Sequence, residues 1–302
     1  MSKELGNVLL GGGSGFIGKH LTSLLTSKGY NVTIISRMPG ASRISWTDLQ
    51  TKGLPESTTA VINLAGQNVM DFTQRWTTGF KQNVFNSRVK TTASLAEAIA
   101  KAPKRPKVFV AISGVGAYKP NDKEYTESSI LENFDFFSKL CIEWEKAACL
   151  PKEVTDCRQV IIRSGVVLGR DGGMIKQLYL PFFLGLGGPV GSGMQYMPWI
   201  HIDDLTRLIL FSIENNVEGV YNGVAPTPAT NKEFSNAFAG ALSRPAIFPV
   251  PKFVFNALLS EERANMITKG QKVLPQRYQE AGFTYNFPNI TVACQDLVQK
   301  KA

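Results

Sequence analysis

The chain has 302 residues, 43% of them hydrophobic and 19% charged, and carries a formal net charge of +9. That supplies one large α/β unit, or one unit with a small lobe. No apolar run reaches the roughly 18–20 residues needed to cross a bilayer, which excludes a membrane-spanning protein. The basic residues are scattered, apart from Lys300-Lys301, and lack the aromatic-interleaved stripe of a nucleic-acid binder. The excess charge suits an anionic ligand.

Four cysteines, Cys141, Cys149, Cys157 and Cys294, show neither metal nor redox spacing, and His20 and His201 are the only histidines. The expectation is free thiols in a reducing compartment and no metal site. The opening Met1-Ser2-Lys3-Glu4-Leu5-Gly6-Asn7 is short and contains an acid, so no cleavable leader is expected. An intracellular, soluble protein follows, with cytosol and mitochondrial matrix both open.

In chain order, Val8-Leu9-Leu10 reads as a strand and runs straight into Gly11-Gly12-Gly13-Ser14-Gly15-Phe16-Ile17-Gly18. Gly12, Gly15 and Gly18 fit G-x-x-G-x-x-G between a strand and a helix. Gly12 permits the tight turn, Gly15 lets backbone approach a pyrophosphate, and Gly18 lets the helix pack closely on the strand. The helix N-terminus then offers N–H groups to phosphate, from the turn Gly15-Phe16-Ile17-Gly18. Leu21, Leu24 and Leu25 give the helical stripe, Lys28-Gly29 ends it, and Asn31-Val32-Thr33-Ile34-Ile35 is the second strand. The end of that strand ordinarily meets the adenosine ribose, where an acid selects NAD and a basic residue accommodates the 2′-phosphate of NADP. Ser36-Arg37 stands there, and the nearest acid downstream, Asp48, is too distant to take the place. Arg37 can bond phosphate and stack on adenine, with Ser36 adding a hydroxyl and Arg43 a second cation. The pattern predicts NADP(H).

Ala60–Leu64 predicts a third strand closing with Ala65-Gly66, followed by a helix from about Trp76 to Ala102 that Pro103 and Pro106 end. Lys107–Ile112 is the next strand, Phe134–Ala148 the next helix, and Gln159–Arg163 the strand after Pro151. This alternation argues for a doubly wound, Rossmann-type parallel sheet with right-handed crossovers. Beyond Gly169, glycine and proline become frequent, and Met174–Tyr196 reads as loops around a pocket. A strand-to-helix unit returns at Trp199–Asp204, and a short strand at Gly219–Asn222. The tail reads as helices separated by Pro249, Pro251 and Pro275. The division expected is 1–225 for the NADP-binding domain and 226–302 for a mainly helical substrate lobe.

Several of these pieces occur in a telling order: Gly12–Gly18, Asn63-Leu64-Ala65-Gly66, Ser113 after a strand, Arg163–Gly169, and Trp199-Ile200-His201-Ile202-Asp203-Asp204. The whole chain resembles the extended, epimerase-like branch of the short-chain dehydrogenases/reductases, and most closely its atypical "epimerase family" group of NADP-dependent oxidoreductases. The resemblance implies that Leu64, Ala65 and Gly66 line the adenine and phosphate end of the cleft. It also implies that Val167, with Val166, forms an apolar wall at the nicotinamide. Arg88 lies on the long helix where relatives often carry Asn, and an arginine there is placed to reach the pyrophosphate; Asn83 is a second candidate. Both also read as residues of a solvated helix face. A homodimer through paired long helices is common in the superfamily.

One departure bears on the chemistry. Active members use Tyr-x-x-x-Lys, in which the phenol exchanges a proton with substrate and the lysine lowers its pKa and holds the ribose. Here Asp135 stands four residues before Lys139. An aspartate serves as a base only if burial raises its pKa. Aligned on Tyr118, Gly114 takes the place of the usual hydroxyl and leaves Ser113 one position earlier. Lys139, Ser113 and Tyr118 are therefore the catalytic candidates. His201 reads as structural, Asp203-Asp204 as a helix cap, and Trp144-Glu145 as packing plus a surface acid. Two functions follow: an NADP-dependent oxidoreductase acting on a small carbonyl or alcohol, or a non-catalytic NADP(H)-binding sensor or assembly protein.

Overall fold

The apolar run Val8-Leu9-Leu10 is fully buried and forms the middle of β1 (Gly6–Gly11). The structure, a computed structural model, describes residues 5–38, 40, 42–71 and 73–299; the Lys300-Lys301 pair lies outside them. The chain continues through α1 (Phe16–Ser27), β2 (Tyr30–Ile35), β3 (Arg43–Ile44), α2 (Trp46–Lys52), β4 (Thr58–Asn63), α3 (Thr78–Lys101) and β5 (Val108–Gly114). After one 3₁₀ turn come β6 (Asn121–Tyr125), α4 (Phe136–Ala148), β7 (Arg158–Ser164), β8 (Val166–Gly169), α5 (Gly173–Phe183), β9 (Trp199–His201), α6 (Ile202–Glu214) and β10 (Gly219–Gly223). The remainder is α7 (Asn231–Ala241), α8 (Lys252–Leu258), α9 (Glu261–Thr268), β11 (Gln271–Val273), α10 (Gln276–Glu280) and α11 (Ile290–Gln299). No helix among the described residues is long and apolar enough to cross a membrane.

Seven strands form the parallel, Rossmann-like sheet, ordered β10-β7-β5-β4-β1-β2-β3. From β1 the chain moves outward through β2 to β3, then returns to β4 on the other side and moves outward again. The order therefore reverses between β1 and β4. Ligands of such sheets bind in the crevice beyond the C-terminal strand ends at that reversal, where Gly12 and Leu64–Gly66 follow their strands.

Two compact units interleave in the chain: Met1–Ser113, Lys139–Ile162 and Thr206–Val220 in the first, Gly114–Ser138, Arg163–Leu205 and Tyr221–Ala302 in the second. The first has a core of Leu9, Val61, Leu95, Ile99, Phe109 and Ile161, the alternation of strand and helix residues that a parallel sheet covered by helices demands. The second packs Leu168, Phe182, Trp199, Phe234, Phe238 and Cys294 into a separate cluster.

Some of the architecture differs from the pattern in the sequence. Residues 173–183, expected as loop, form α5, with Pro181 near its end. Glycines flank this stretch, but Met174–Phe183 itself is apolar apart from Lys176 and Gln177, and its Ile175 and Phe182 reach the second core. The short helix α2 also carries little periodicity. It is set instead by a capping box in which the Ser45 hydroxyl accepts from the Asp48 N–H and the Asp48 carboxylate accepts from the Ser45 N–H. The strands β6 and β11 pair in parallel, Glu124 opposite Lys272 and Tyr125 opposite Val273, and neither has an alternating apolar pattern to betray it.

Candidate functional site: a glycine-lined crevice in the first unit

The turn after β1 is shaped by what its glycines exclude. Gly12 has φ of +79°, and a Cβ there sits 2.6 Å from the Leu64 carbonyl carbon and 2.7 Å from the Ala65 nitrogen. The turns after β1 and β4 thus touch backbone to backbone, joined by the Leu64 N–H donating to the Gly11 carbonyl at 2.8 Å. At Gly18 a Cβ runs into the carbonyl oxygen of Gly12 and the backbone of Gly13, so its close packing is on the turn rather than on the strand. Gly15 is different: only the Gly12 oxygen, at 3.3 Å, lies near its Cβ position. It is the N-cap of α1, which has no side-chain cap and no acid in its first turn. The N–H groups of a first helical turn have no intrahelical acceptors, and at Phe16, Ile17 and Gly18 they are left to receive an anion.

Asn63 fixes the neighbouring turn. Its side chain is fully buried; Oδ1 accepts from the Ala65 N–H at 3.0 Å and Nδ2 donates to Thr92 Oγ1 at 2.7 Å. Trp144 Nε1 donates to the same hydroxyl at 2.8 Å, tying α3 and α4 to the Leu64–Gly66 turn. The Gln67 N–H donates to Ser87 Oγ on α3 at 2.9 Å. Asn63 stands in the sequence only as the first residue of the Asn63–Gly66 motif, and Ser87 and Thr92 escaped notice there, because a lone polar residue in a helix carries no periodic signal.

Arg88 stands behind this turn. Its guanidinium lies 5.2 Å from the Trp144 ring, and Nη1 donates to the Val84 carbonyl at 3.2 Å. A Cβ on Gly66 meets its Cζ at 2.9 Å, which explains the small residue there. Burial lowers the guanidinium to about 10, which leaves it charged at neutral pH. The solvated-face reading thus does not hold for Arg88. Asn83 is exposed and five residues from Arg88, about 140° around the helix, so the two do not share a face.

At the end of β2, Arg37 is exposed and Ser36 Oγ accepts from the Met38 N–H at 3.1 Å. Arg43 is also exposed and opens β3 opposite Ile34 of β2, so both cations flank one sheet edge. Asp48, the nearest acid downstream, is committed to Ser45 and to Lys52 at 2.7 Å, contacts that hold its carboxyl well below the usual carboxylate range.

The catalytic candidates are dispersed. Lys139 is exposed on α4. Asp135 is exposed too and accepts from the Ser138 N–H at 2.7 Å, so the burial that a basic aspartate requires is missing and the carboxylate caps α4 instead. Ser113 donates its hydroxyl to Glu145 Oε1 at 2.8 Å. Glu145 is half-buried and bonded, a correction to its reading as a surface acid.

Tyr118 belongs to the second unit. It is 1% exposed; its hydroxyl receives Arg163 Nη1 at 2.8 Å and lies 2.9 Å from Asn222 Oδ1. Burial raises its phenol above 10 despite the opposing Arg163 charge. A hydroxyl so enclosed anchors the network and has no face for a substrate, which corrects its candidacy as a proton donor. Val167 lies in β8 of the same unit, half-buried, opposite Ile200. His201 is structural: Nδ1 accepts from the Asp203 N–H at 3.2 Å, capping α6, and Nε2 lies 3.3 Å from Asp296 Oδ2. The Asp204 carboxylate, in the first turn of α6, accepts from the Asn286 and Phe287 N–H groups at 2.9 and 2.8 Å.

Residues 8–224 match the NAD dependent epimerase/dehydratase family. The chain belongs to that family. Residues 250–297 match a domain of unknown function, DUF1731. Among the family's curated members, the human epimerase family protein SDR39U1 is 50% identical over 293 residues, covering 96% of this chain and 99% of its own. The chloroplastic homolog from Arabidopsis thaliana is 34% identical over 308 residues, 95% of this chain and 85% of its own. A crystal structure of the human protein, isoform 2, with NADPH superposes with a TM-score of 0.95 at 48% identity, covering 98% of this chain and all of that one. A nucleoside-diphosphate sugar epimerase from Corynebacterium glutamicum is similar at TM-score 0.77 and 25% identity, over 97% of this chain and 58% of its own.

Proposed function

We propose that the chain binds NADP(H) in the first unit and uses it as an oxidoreductase on a small carbonyl or alcohol. The observation that carries the cofactor reading is the pairing of an uncapped, acid-free α1 N-terminus with two exposed arginines, Arg37 and Arg43, where an NAD-selective site has an acid. The NADPH in the crystal structure of the human relative supports it. Gly12, Gly15 and Gly18 shape the cradle, and Phe16, Ile17 and Gly18 offer N–H groups to the pyrophosphate. Leu64, Ala65 and Gly66 line the crevice, with the Arg88 cation behind them. Ser36 and Arg37 receive the 2′-phosphate. The nucleotide supplies hydride at its nicotinamide ring.

The proton-handling groups of this unit are Lys139 and the Ser113–Glu145 pair. Lys139 holds the ribose, in the place the family's lysine takes. Ser113, 2% exposed, has no face for a substrate; its hydroxyl orients Glu145 across their 2.8 Å hydrogen bond and leaves the half-buried carboxyl to exchange the proton. A second reading is favoured by the missing phenol at Asp135, namely NADP(H) binding without turnover, as a sensor or assembly partner. Turnover with NADPH over a panel of small aldehydes and ketones, repeated on Lys139→Ala and Glu145→Gln, separates the two. An enzyme loses most of its rate in both variants, while Glu145→Gln keeps its NADPH affinity. A sensor gives no turnover on any carbonyl and loses at most some affinity in Lys139→Ala.

A further inference from the structure

In the second unit, two stretches of the chain contain no carboxylate at all: residues 172–202 and residues 234–260. The fold packs them together. Arg244 Nε donates to the Phe183 carbonyl at 2.8 Å, and its guanidinium lies 5.2 Å from the Phe183 ring. The Val250 N–H donates to the Pro189 carbonyl at 2.8 Å, and the Gly191 N–H to the Val250 carbonyl at 2.9 Å. The joined segments leave Leu184, Leu186, Ile247, Phe248 and Phe253 between 55% and 69% exposed. Leu184 and Leu186 flank Gly185, whose φ of +74° turns the chain just after α5, so two exposed leucines stand on either side of one turn. Arg244 and Lys252 supply cations beside these side chains, the stem of Lys252 lying over Gly191. Glu261, at the start of α9, lines a depression of about 420 Å³ together with Lys252 and Lys269.

We propose that this surface docks the protein on an anionic lipid bilayer, with the Leu184–Leu186 turn and the Ile247, Phe248 and Phe253 side chains entering the headgroup boundary. An exposed apolar patch of this extent rimmed by charge marks an interaction surface. Two features select lipid. The charge that the two segments themselves carry is of one sign, so pairing them with the same segments of a second copy brings cation to cation, whereas anionic headgroups complement it. The exposed groups are aliphatic and phenyl side chains, on the turn after α5 and on the segment packed beside it, suited to shallow insertion. Such a protein lies on the membrane and does not span it.

The test mixes the full chain with vesicles of equimolar phosphatidylcholine and phosphatidylglycerol, or of phosphatidylcholine alone, and reads partition by sedimentation. The proposal expects anionic vesicles to bind at least about tenfold better. Leu184→Ser with Leu186→Ser lowers that binding about tenfold or more, and Lys252→Gln about fivefold. NADPH affinity is unchanged in each, which reports an intact fold. Equal partition into both vesicles, or none, overturns the proposal, as does a double variant that binds like the parent. Displacement by soluble polyglutamate at matched charge assigns the surface to an acidic protein instead. A dimer by sedimentation velocity that the double variant dissolves assigns it to a second copy.

Discussion

Replacing Gly12 by alanine tests the crevice directly, because two separate costs fall on one atom. The backbone at φ +79° is a left-handed conformation that costs an L-residue about 1–2 kcal/mol. The added Cβ also lands 2.6 and 2.7 Å from the Leu64 carbonyl carbon and Ala65 nitrogen, main-chain atoms that no rotamer change can withdraw. Overpacking of this kind costs about 1–3 kcal/mol. The sum is roughly 2–5 kcal/mol, a large part of a domain's typical total of about 5–15 kcal/mol. Gly282 is the control: its φ is +83° and nothing lies within 4 Å of its Cβ position, so Gly282→Ala carries the conformational cost alone. Urea denaturation of both variants isolates the overlap as the difference. Because the overlap displaces the Leu64–Ala65 turn, Gly12→Ala also weakens NADPH binding at least tenfold, about 1.4 kcal/mol, and Gly282→Ala leaves it unchanged. Equal stability losses in the two variants, with NADPH affinity intact in Gly12→Ala, refute the close approach of the two turns.

Three further outcomes follow. Asn63→Ala leaves the Ala65 N–H without its acceptor and removes one of the two donors to the Thr92 hydroxyl, two polar groups at about 1–3 kcal/mol each, so urea denaturation should show roughly 2–6 kcal/mol lost and calorimetry a weaker NADPH complex. Burial raises the Glu127 carboxyl above 4.5, even though the N–H groups of Asn222 and Arg277 pull the other way. The folded protein then holds a proton that the unfolded chain releases, so this contribution to stability is complete below 4.5 and is lost as pH rises through the folded value; Glu127→Gln flattens that fall in denaturation midpoints measured against pH. Of the four cysteines only Cys149 is exposed, while burial pushes the Cys157 and Cys294 thiols up to about 12. An aromatic disulfide reagent should therefore titrate one thiol rapidly in the native protein and all four in denaturant.

The parts legible in the sequence are those with a local signal. Glycines between a strand and a helix, and five-residue apolar runs separated by amphipathic helices, have few structural meanings, so the sheet and its crevice could be read before any coordinates. The parts that were missed depend on partners far along the chain. The Asn63–Thr92–Trp144 bonds join residues 29 and 52 positions apart, and the Tyr118–Asn222 bond joins residues 104 apart. Nothing local distinguishes a hydroxyl that will be enclosed from one that will meet a ligand. Asp135 shows the same limit: its spacing to Lys139 suggested chemistry, whereas its short-range geometry made it a helix cap.

The central claim is selective NADP(H) binding through Arg37. Calorimetric titration of the chain with NADPH and with NADH, repeated on Arg37→Asp, tests it most directly. The account predicts that NADPH binds at least tenfold more tightly, a margin of about 1.4 kcal/mol, and that the variant loses the margin while still binding NADH. Equal affinity for the two nucleotides, or a margin that survives Arg37→Asp, contradicts it.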